Sequence, residues 1–298
     1  LFKFTGEHEI INIKQHKTNC KMTNLYIVAT PIGNLKDISE RAVDIISKAD
    51  FIVCENPKHS LKLLNNLGIK KKLISLHDYN EQLVINKIKD DLKNKLIVLI
   101  SDAGSPLISD PGFKLIQYCI KENIKITTIP GPSAIIPALQ LSGLPINEFY
   151  FAGFLAKTKK HISDLILNLS ELQKTSVFFV SSHKIIITLE IIDKIVPKRR
   201  LSVSKEITKK NERVFRGIAK KIIDDMSEKR ENIKGEFVVV MEGNLAKKTD
   251  EEMVNVHDIE IKKLLSKFSL TEVVQIVHKL TRIKKNKVYK WVLSLTKS

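Results

Sequence analysis

The stretch Leu25–Leu35, with the sequence LYIVATPIGNL, joins an apolar run to a loop that contains proline and glycine. Residues 25–29 show no alternation of apolar and polar side chains, which is typical of a strand buried on both faces of a parallel sheet. Ligands of open α/β sheets bind beyond the carboxyl ends of the strands. The loop that follows this strand is therefore a candidate ligand-binding loop.

The same succession of a short apolar strand and an amphipathic helix continues to about residue 142. Strands are predicted at Leu25–Ala29, Phe51–Cys54, Leu73–Leu76, Leu96–Ile100 and Ile124–Ile129. Helices are predicted at Ser39–Ala49, Ser60–Leu67, Glu81–Leu92, Phe113–Ile120 and Ser133–Leu141. Repeated strand–helix cycles predict a mainly parallel open sheet with helices on both faces.

Beyond Gly143 the strands come at irregular intervals, which predicts a second α/β domain with a mixed sheet. Its predicted strands are Phe149–Phe151, Ser176–Val180, Leu201–Lys205, Val214–Gly217 and Phe237–Met241, with helices near residues 159–169, 184–195 and 218–229. We place the N-terminal α/β domain at residues 24–147 and the C-terminal α/β domain at residues 148–245.

The two ends of the chain differ from these domains. Residues 1–23 are polar and irregular, so we expect a disordered, dispensable leader with an alternative start at Met22. At the other end, an acidic connector (Asn244–Asp258) leads to a basic extension at residues 259–298, with two helices predicted at Leu270–Leu280 and Asn286–Leu295.

Composition excludes several classes of protein. The chain has 298 residues, 43% of them hydrophobic, which suffices for two cores, and no apolar run approaches the roughly 20 residues of a membrane-spanning helix. Its three cysteines are spaced too far apart for a disulfide framework or a CxxC metal site, so we expect a protein of the reducing cytoplasm without a metal. GxGxxG, GxxxxGK[ST], HExxH and GxSxG motifs are all absent, which argues against dinucleotide, P-loop, zinc-hydrolase and serine-nucleophile sites.

The formal net charge of +17 is unevenly distributed along the chain. Residues 24–150 are nearly neutral, whereas basic residues clearly outnumber acidic ones at 198–234 and 259–298. An AT-rich genome would enrich lysine everywhere and explains the total charge, but it explains the clustering less well. Two basic segments indicate a polyanionic partner such as RNA.

Three loops at predicted strand ends combine glycine, proline and small polar residues. Besides the loop at 29–35, they are Ser101–Gly112 (SDAGSPLISDPG) and Pro130–Ala134 (PGPSA). Such residues let the backbone approach a ligand closely while keeping the loop stiff. The alternative is that strand-to-helix turns simply favour these residue types.

These loops also carry a resemblance to a known family. The stretch Leu25–Leu35 and the loops Ser101–Gly112 and Pro130–Ala134 resemble the tetrapyrrole methylase superfamily, and in particular its branch that methylates a cytidine 2′-hydroxyl in 16S rRNA. Further matches are Leu141–Pro145, Gly153–Leu155, Lys205–Lys209 and Gly235–Val240. The resemblance covers about residues 25–243, and the C-terminal extension is similar to that of the same branch.

The resemblance implies a class III methyltransferase with two α/β domains that hold S-adenosylmethionine between them, and it implies a homodimer. Cofactor contacts implied in this way are Pro31, Ile32, Gly33, Asp102, Ala103, Gly104, Ser105, Ile108, Ser133, Ala134 and Val180. Backbone groups of the glycine-rich loops suit the polar atoms of the cofactor, and the apolar residues suit its adenine.

Methyl transfer to a ribose hydroxyl benefits from a base, because the hydroxyl is a weak acid. Glu55, at the end of the second strand, is the first candidate and Asp102 the second. The alternatives are structural: Glu55 as a helix cap or lysine partner, and Asp102 as a turn residue bonded to its own backbone.

For the RNA partner, 16S rRNA or the small ribosomal subunit, we predict contacts from basic side chains. These are Lys58, Lys184, Arg199, Arg200, Lys284, Lys285, Lys287 and Lys290. Two stretches depart from the family pattern: Glu55–Ser60 (ENPKHS) has Lys58 in place of an arginine, and Val180–Lys184 (VSSHK) lacks a carboxylate. Since arginine and lysine bind phosphate differently, these departures concern substrate contacts.

The resemblance thus implies a 2′-O-ribose methyltransferase acting on a cytidine of 16S rRNA. Two alternatives stay open: methylation of a tetrapyrrole or a protein, as in other branches of the superfamily, and a ribosome-binding homologue with impaired catalysis.

Overall fold

The computed structural model describes residues 24–156, 158–245, 258–281 and 283–296. The chain divides into two compact units, of which the first ends at Gly243 and the second begins at Asn244. The predicted leader and most of the predicted connector lie outside the described residues. Within the described ranges, no helix combines the length and the apolar character needed to cross a membrane.

The first sheet of the first unit is parallel throughout, in agreement with the apolar strand pattern. Its strands are β1 (Leu25–Val28), β2 (Phe51–Cys54), β3 (Lys72–Ser75), β4 (Ile97–Ile100) and β5 (Ile126–Ile129). They lie in the order β3-β2-β4-β1-β5, with Tyr26 of β1 opposite both Val98 and Thr127. The three predicted ligand loops follow β1, β4 and β5, so they leave neighbouring strands at one edge of the sheet.

Helices cover both faces of this sheet. They are α1 (Glu40–Lys48), α2 (Pro57–Asn66), α3 (Glu81–Ile88), α4 (Asp91–Asn94) and α5 (Phe113–Lys121). A sixth helix, α6 (Ile135–Ser142), follows β5. On one face, apolar residues of α3 and α5 pack on Leu25, Val53 and Leu99, and on the other face α1 and α2 pack on Val28 and Ile52.

Two predicted helices differ from the structure by more than two residues. Helix α2 begins three residues before the predicted start at Ser60, because the side chain of Asn56 caps it by accepting from Lys58 N at 3.1 Å and Pro57 suits the first helical position. The helix predicted at Glu81–Leu92 is wrong as a single element, since a turn at Lys89–Asp90 separates α3 from α4.

The second sheet is mixed, as predicted. Its strands are β6 (Phe149–Phe154), β7 (Thr175–Ser181), β8 (Leu201–Lys205), β9 (Arg213–Gly217) and β10 (Glu236–Met241). They lie in the order β6-β7-β10-β8-β9, with only the β6–β7 pair parallel.

This second sheet is covered on both faces, and one of the covering helices comes from the first half of the unit. Helices α7 (Lys159–Ser170), α8 (Ile185–Ile195) and α9 (Ala219–Ser227) pack on one face around Phe178 and Val239. On the other face, Ile135, Ala138 and Leu139 of α6 pack against residues of β7 and β10. Helix α6 therefore lies directly against the second sheet and joins the two halves.

The second unit contains three helices in its described residues, where two were predicted. They are α10 (Asp258–Leu265), α11 (Leu270–Thr281) and α12 (Lys285–Leu295). Ile261 of α10 is buried with Val273 and Val288, and Asp258 accepts a hydrogen bond from Trp291 Nε1 at 2.8 Å. The apolar spacing of Ile261, Leu264 and Leu265 is the helical pattern that the prediction missed.

Candidate active site

A cavity of about 430 Å³ lies where loops of the first sheet meet the second sheet. Its lining from the first half is Ile32, Ala103, Gly104, Ser105, Ile108, Asp110, Ser133, Ala134 and Ile135. Its lining from the second half is Phe154, Phe179, Val180, Ser181, Ser182, Gly235, Glu236, Phe237 and Val238. This volume is within the range of small-molecule and cofactor pockets, which are concave and mostly apolar.

Backbone hydrogen bonds hold the three predicted loops together at the cavity. Thr30 and Gly104 form a two-way backbone bridge, with both N–H···O distances 2.9 Å. The Thr30 hydroxyl also donates to the carbonyl of Ser101 at 3.2 Å, and the Ser105 hydroxyl donates to the carbonyl of Pro132 at 3.4 Å. The prediction that these loops form one site is thereby supported by direct contacts.

The loop after β4 contains a strained turn that directs Asp110 toward the cavity. Leu107 and Ser109 have positive φ angles of 74° and 72°, which are rare for residues other than glycine. Gly112 has a φ of 123°, and a side chain there would meet Leu107 and Leu99 within 3.1 Å. Such strain persists only where the surroundings enforce it, and it is frequent at binding sites.

The second sheet contributes an aromatic and apolar wall. The rings of Phe154 and Phe179 lie with their centroids 4.8 Å apart at the end of β6 and β7. Val180 and Phe237 face each other across the β7–β10 pair and line the same cavity. This wall suits a flat apolar group such as a purine ring.

The loop after β8 packs against the ligand loop that follows β1. A side chain on Gly33 would lie 2.4 Å from Lys209 Cγ and 2.7 Å from Thr208 Oγ1, so only glycine fits there. Lys209 in turn pairs with Glu206 at 3.0 Å and Glu236 at 2.9 Å. Glycine at position 33 thus allows the loop after β1 to pack closely against the loop after β8.

Three carboxylates gather near the cavity on the first-sheet side. Burial, together with the charges of Glu55 and Asp102, raises the pKa of Asp110 to about 6. The pKa of Glu55 is raised as well, by burial first and then by the charges of Asp102 and Asp78. In the described part of the chain, no ion pair joins Asp110 to a cation, and no group of three or more His, Cys, Asp or Glu side chains is arranged to hold a metal ion.

Asp102 points away from the cavity lining. Its Oδ1 accepts from the backbone N–H of Asn56 at 3.2 Å, and its Oδ2 lies 3.4 Å from Nδ1 of His59. The carboxylate therefore joins the loop after β4 to the first turn of α2.

Most of the predicted cofactor contacts line the cavity. These are Ile32, Ala103, Gly104, Ser105, Ile108, Ser133, Ala134 and Val180. Pro31, Gly33 and Asp102 do not line it, although each adjoins a lining residue along the chain. Glu55, the first predicted base, does not line it either.

Asp110 is not among the site residues predicted from the sequence, although it belongs to the predicted ligand loop after β4. The available signal was an aspartate beside proline and glycine in a loop at a predicted strand end. The start of β10 was likewise not predicted as part of the site, although residues 235–238 line the cavity.

The predicted RNA contacts lie in several places. Lys58 is exposed in the first turn of α2, and Lys184 Nζ donates to the carbonyl of Ala156 at 2.9 Å. Arg199 donates to the carbonyls of Glu242 and Ser170, and Arg200 forms an ion pair with Glu242. In the second unit, the four predicted lysines are exposed on and just before α12: Lys284, Lys285, Lys287 and Lys290.

The sequence pattern of the family described as Tetrapyrrole (Corrin/Porphyrin) Methylases matches residues 24–223. That is well over half of the chain. The chain belongs to the tetrapyrrole methylase family.

Curated relatives narrow the position within the family. Proteins called Ribosomal RNA small subunit methyltransferase I are 40% identical in Pasteurella multocida (strain Pm70), over 90% of this chain and 96% of theirs. The relative from Vibrio cholerae serotype O1 is 36% identical, over 90% of this chain and 94% of its own length. The relative from Escherichia coli O157:H7 is 33% identical, over 94% of this chain and 99% of its own length. Each of these matches covers at least nine-tenths of this chain.

Two solved structures share the fold of this chain. A diphthine synthase matches with a TM-score of 0.56 and 16% identity, over 73% of this chain and 89% of that one. Uroporphyrin-III-C-methyltransferase from Thermus thermophilus matches with a TM-score of 0.50 and 16% identity, over 73% of this chain and 93% of that one. At such identities the likeness concerns the fold alone.

Proposed function

We propose that this protein transfers the methyl group of S-adenosylmethionine to the 2′-hydroxyl of a cytidine in 16S rRNA of the small ribosomal subunit. The observation that carries the proposal is the cavity between the two sheets, in a chain up to 40% identical over nearly its whole length to proteins called Ribosomal RNA small subunit methyltransferase I. The test is mass spectrometry of 16S rRNA from cells with and without the gene. Unchanged ribose methylation would contradict the proposal.

The residues around the cavity fit S-adenosylmethionine. Gly104, with a φ of 82°, has no side chain, and a Cβ there would have no neighbour closer than Ile32 at 3.4 Å and the carbonyl of Pro132 at 3.8 Å, so its backbone can be approached by a ligand. Apolar side chains supply a wall for an adenine ring, while backbone groups of the loops after β4 and β5 suit ribose and amino-acid atoms. When bound, the cofactor supplies a methyl group activated by the positive charge of its sulfonium.

Asp110 complements a cationic ligand. It lines the cavity together with one other carboxylate, Glu236, and Lys209 already pairs with Glu236. We assign to Asp110 the role of binding the positively charged part of the cofactor. A cation there offsets the electrostatic repulsion between the Asp110 carboxylate and the carboxylates of Glu55 and Asp102.

Catalysis in this site is chiefly positioning. The stiff loops after β1, β4 and β5 hold the donor in place, and the reacting oxygen and carbon need to be about 3–3.5 Å apart. The assignment of the hydroxyl proton to Glu55 or Asp102 stays a prediction.

We assign the RNA contacts to Lys58 and Lys184 in the first unit and to the four lysines at α12 in the second. Lys58 is exposed two residues from Asn56, and Lys184 follows the cavity residues 181–182. Lys184 already donates to the carbonyl of Ala156, and Arg199 and Arg200 bond to the backbone and to Glu242, so we expect a smaller contribution from these three than from Lys58 and the four lysines at α12.

We also infer a homodimer in the cytoplasm. Strand β6 is an edge strand, and its Phe149 and Tyr150 are 41% and 48% exposed. Exposed aromatic residues on an unpaired edge favour association. Light scattering of the purified protein would measure the mass, and a monomer at micromolar concentration would contradict the dimer.

The two alternatives have separate tests. A tetrapyrrole or protein methyltransferase would label its substrate and leave ribosomal RNA unlabelled. A ribosome-binding homologue with impaired catalysis would bind small subunits without methylating them. Lysine at position 58 and the lack of a carboxylate at 181–182 motivate the second alternative, and titration with S-adenosylmethionine tests it directly.

A further inference from the structure

A second, smaller cavity of about 120 Å³ adjoins the cofactor cavity. Pro31 and Asp102 line the small cavity, and their chain neighbours Ile32 and Ala103 line the large one. The two cavities are thus separated by the backbone of the same two loops.

His59 lines the small cavity from the first turn of α2. Its side chain is 51% exposed, so it is accessible to a macromolecular substrate, and its Nδ1 lies 3.4 Å from Asp102 Oδ2. The other oxygen of Asp102 accepts from Asn56 N at 3.2 Å, which fixes the carboxylate against the helix that carries His59.

A carboxylate beside Nδ1 determines how the imidazole acts. It favours the tautomer with the proton on Nδ1, which leaves Nε2 free to accept a proton. Distances between catalytic groups are often long without substrate and shorten when substrate binds.

The neighbouring titratable groups are less suited to take a proton from an RNA hydroxyl. Both oxygens of Asp102 face groups of α2, Asp110 lines the cofactor cavity, and Glu55 lines neither cavity.

We propose that His59 is the catalytic base of the methyl transfer and that Asp102 is its positioning residue, an assignment that rests on the proposed function. The 2′-hydroxyl proton passes to Nε2 of His59 while the hydroxyl oxygen forms its bond to the methyl carbon. The carbon–sulfur bond breaks with its electron pair staying on sulfur, and the imidazolium returns the proton to solvent.

The first test is a single-turnover methylation assay with small subunits that lack the modification. H59N keeps a donor toward Asp102 but cannot take a proton at neutral pH, so we expect its rate to fall by about 100-fold or more. Its affinity for S-adenosylmethionine should stay within about twofold of wild type. The matched control is H161N, because His161 is exposed on α7 and lines neither cavity.

The second test separates proton transfer from structure. H59A leaves space for free imidazole, and we expect added imidazole to restore part of the missing rate, as an added base does when it replaces an absent one. Weakened RNA binding by H59A without rescue at any imidazole concentration would overturn the assignment, and so would an H59N rate within threefold of wild type. Wild-type protein that methylates no RNA would instead overturn the proposed function itself, and this assignment with it.

Discussion

Asp110 shows how one residue links the charge of the cavity to ligand binding. Its carboxylate lies among Glu55 and Asp102, and its pKa of about 6 is raised above the ordinary value of an aspartate. Protonation therefore occurs close to neutral pH, where it removes the negative charge that a cationic cofactor needs.

We predict that the affinity for S-adenosylmethionine falls as the pH falls through about 6. Above that pH Asp110 is ionised and attracts the cation, whereas below it the neutral acid does not. D110N should bind the cofactor about 10–100-fold more weakly at pH 8, with little further loss at pH 5, since a charge-assisted contact is worth about 1.5–3 kcal/mol. Calorimetric titration at several pH values measures this, and a D110N variant with wild-type affinity would contradict it.

The same substitution should increase stability in the absence of cofactor. A raised pKa means that ionised Asp110 destabilises the fold above about pH 6, so D110N should raise the free energy of unfolding at pH 8 by about 1 kcal/mol. The pKa shift alone would suggest a larger increase in the free energy of unfolding, but solvent screens a carboxylate that lines an open cavity. Urea unfolding of both proteins provides the measurement, with pH 4 as the comparison, where the difference should shrink because Asp110 is protonated in the folded state and in about half of the unfolded chains. A less stable D110N at pH 8 would be the opposite result.

Gly33 provides a second prediction at the scale of one residue. In G33A the new methyl group would overlap Lys209 and Thr208, so the loop after β8 must move and its ion pairs to Glu206 and Glu236 weaken. We expect a decrease of about 1–3 kcal/mol in the free energy of unfolding, typical of overpacking, together with weaker cofactor binding. The control is K209A, which removes the ion pairs without the overlap and should cost less. Equal stability of G33A and wild type would show that the loop yields freely.

At the scale of elements, the apolar pattern predicts strands better than helix ends. Strand Phe51–Cys54 is predicted with its observed bounds, because its four residues are all buried. The start of α2 depends on a side-chain cap at Asn56, and the extension of β6 to Phe154 depends on Gly153, with a φ of 72°, and on a register shift beside it. Neither conformation follows from hydrophobic periodicity.

In the candidate site too, one part could be predicted from the sequence and another could not. The loops that line the cavity could be found from glycine, proline and small polar residues at strand ends, since parallel strands bring their carboxyl ends to one edge. The direction of individual side chains could not, because it depends on the positive φ angles at Leu107 and Ser109 and on the hydrogen bond that draws Asp102 toward α2.

Helix α12 carries the prediction for RNA binding at this scale. Its buried face consists of Val288, Trp291 and Val292, while its lysines are exposed and no acidic residue lies within it. Replacing Lys284, Lys285, Lys287 and Lys290 by alanine should weaken binding to small subunits and flatten its salt dependence. The slope of log K against log salt should change by about 0.7 for each single-strand phosphate that the variant no longer neutralises. The matched control replaces the exposed Lys262 and Lys263 of α10. An unchanged salt slope in the fourfold variant would remove the helix from the interface.

At the scale of the whole molecule, charge and chemistry are separate along the chain. The nearly neutral half, residues 24–150, supplies the ligand loops and the carboxylates, whereas the basic segments lie in the later part of the chain. Such a division suits an enzyme that binds a small cationic cofactor at one place and a polyanion over a wider surface.

The central claim is tested most directly by incubating the purified protein with S-adenosylmethionine carrying a deuterated methyl group and with small subunits that lack the modification, followed by mass spectrometry of the digested 16S rRNA. We predict one labelled nucleoside, a cytidine with the deuterated methyl group on its ribose 2′-oxygen, and little label with D110N at limiting cofactor. Absence of label from the RNA, or label on a base instead of a ribose, would contradict the account.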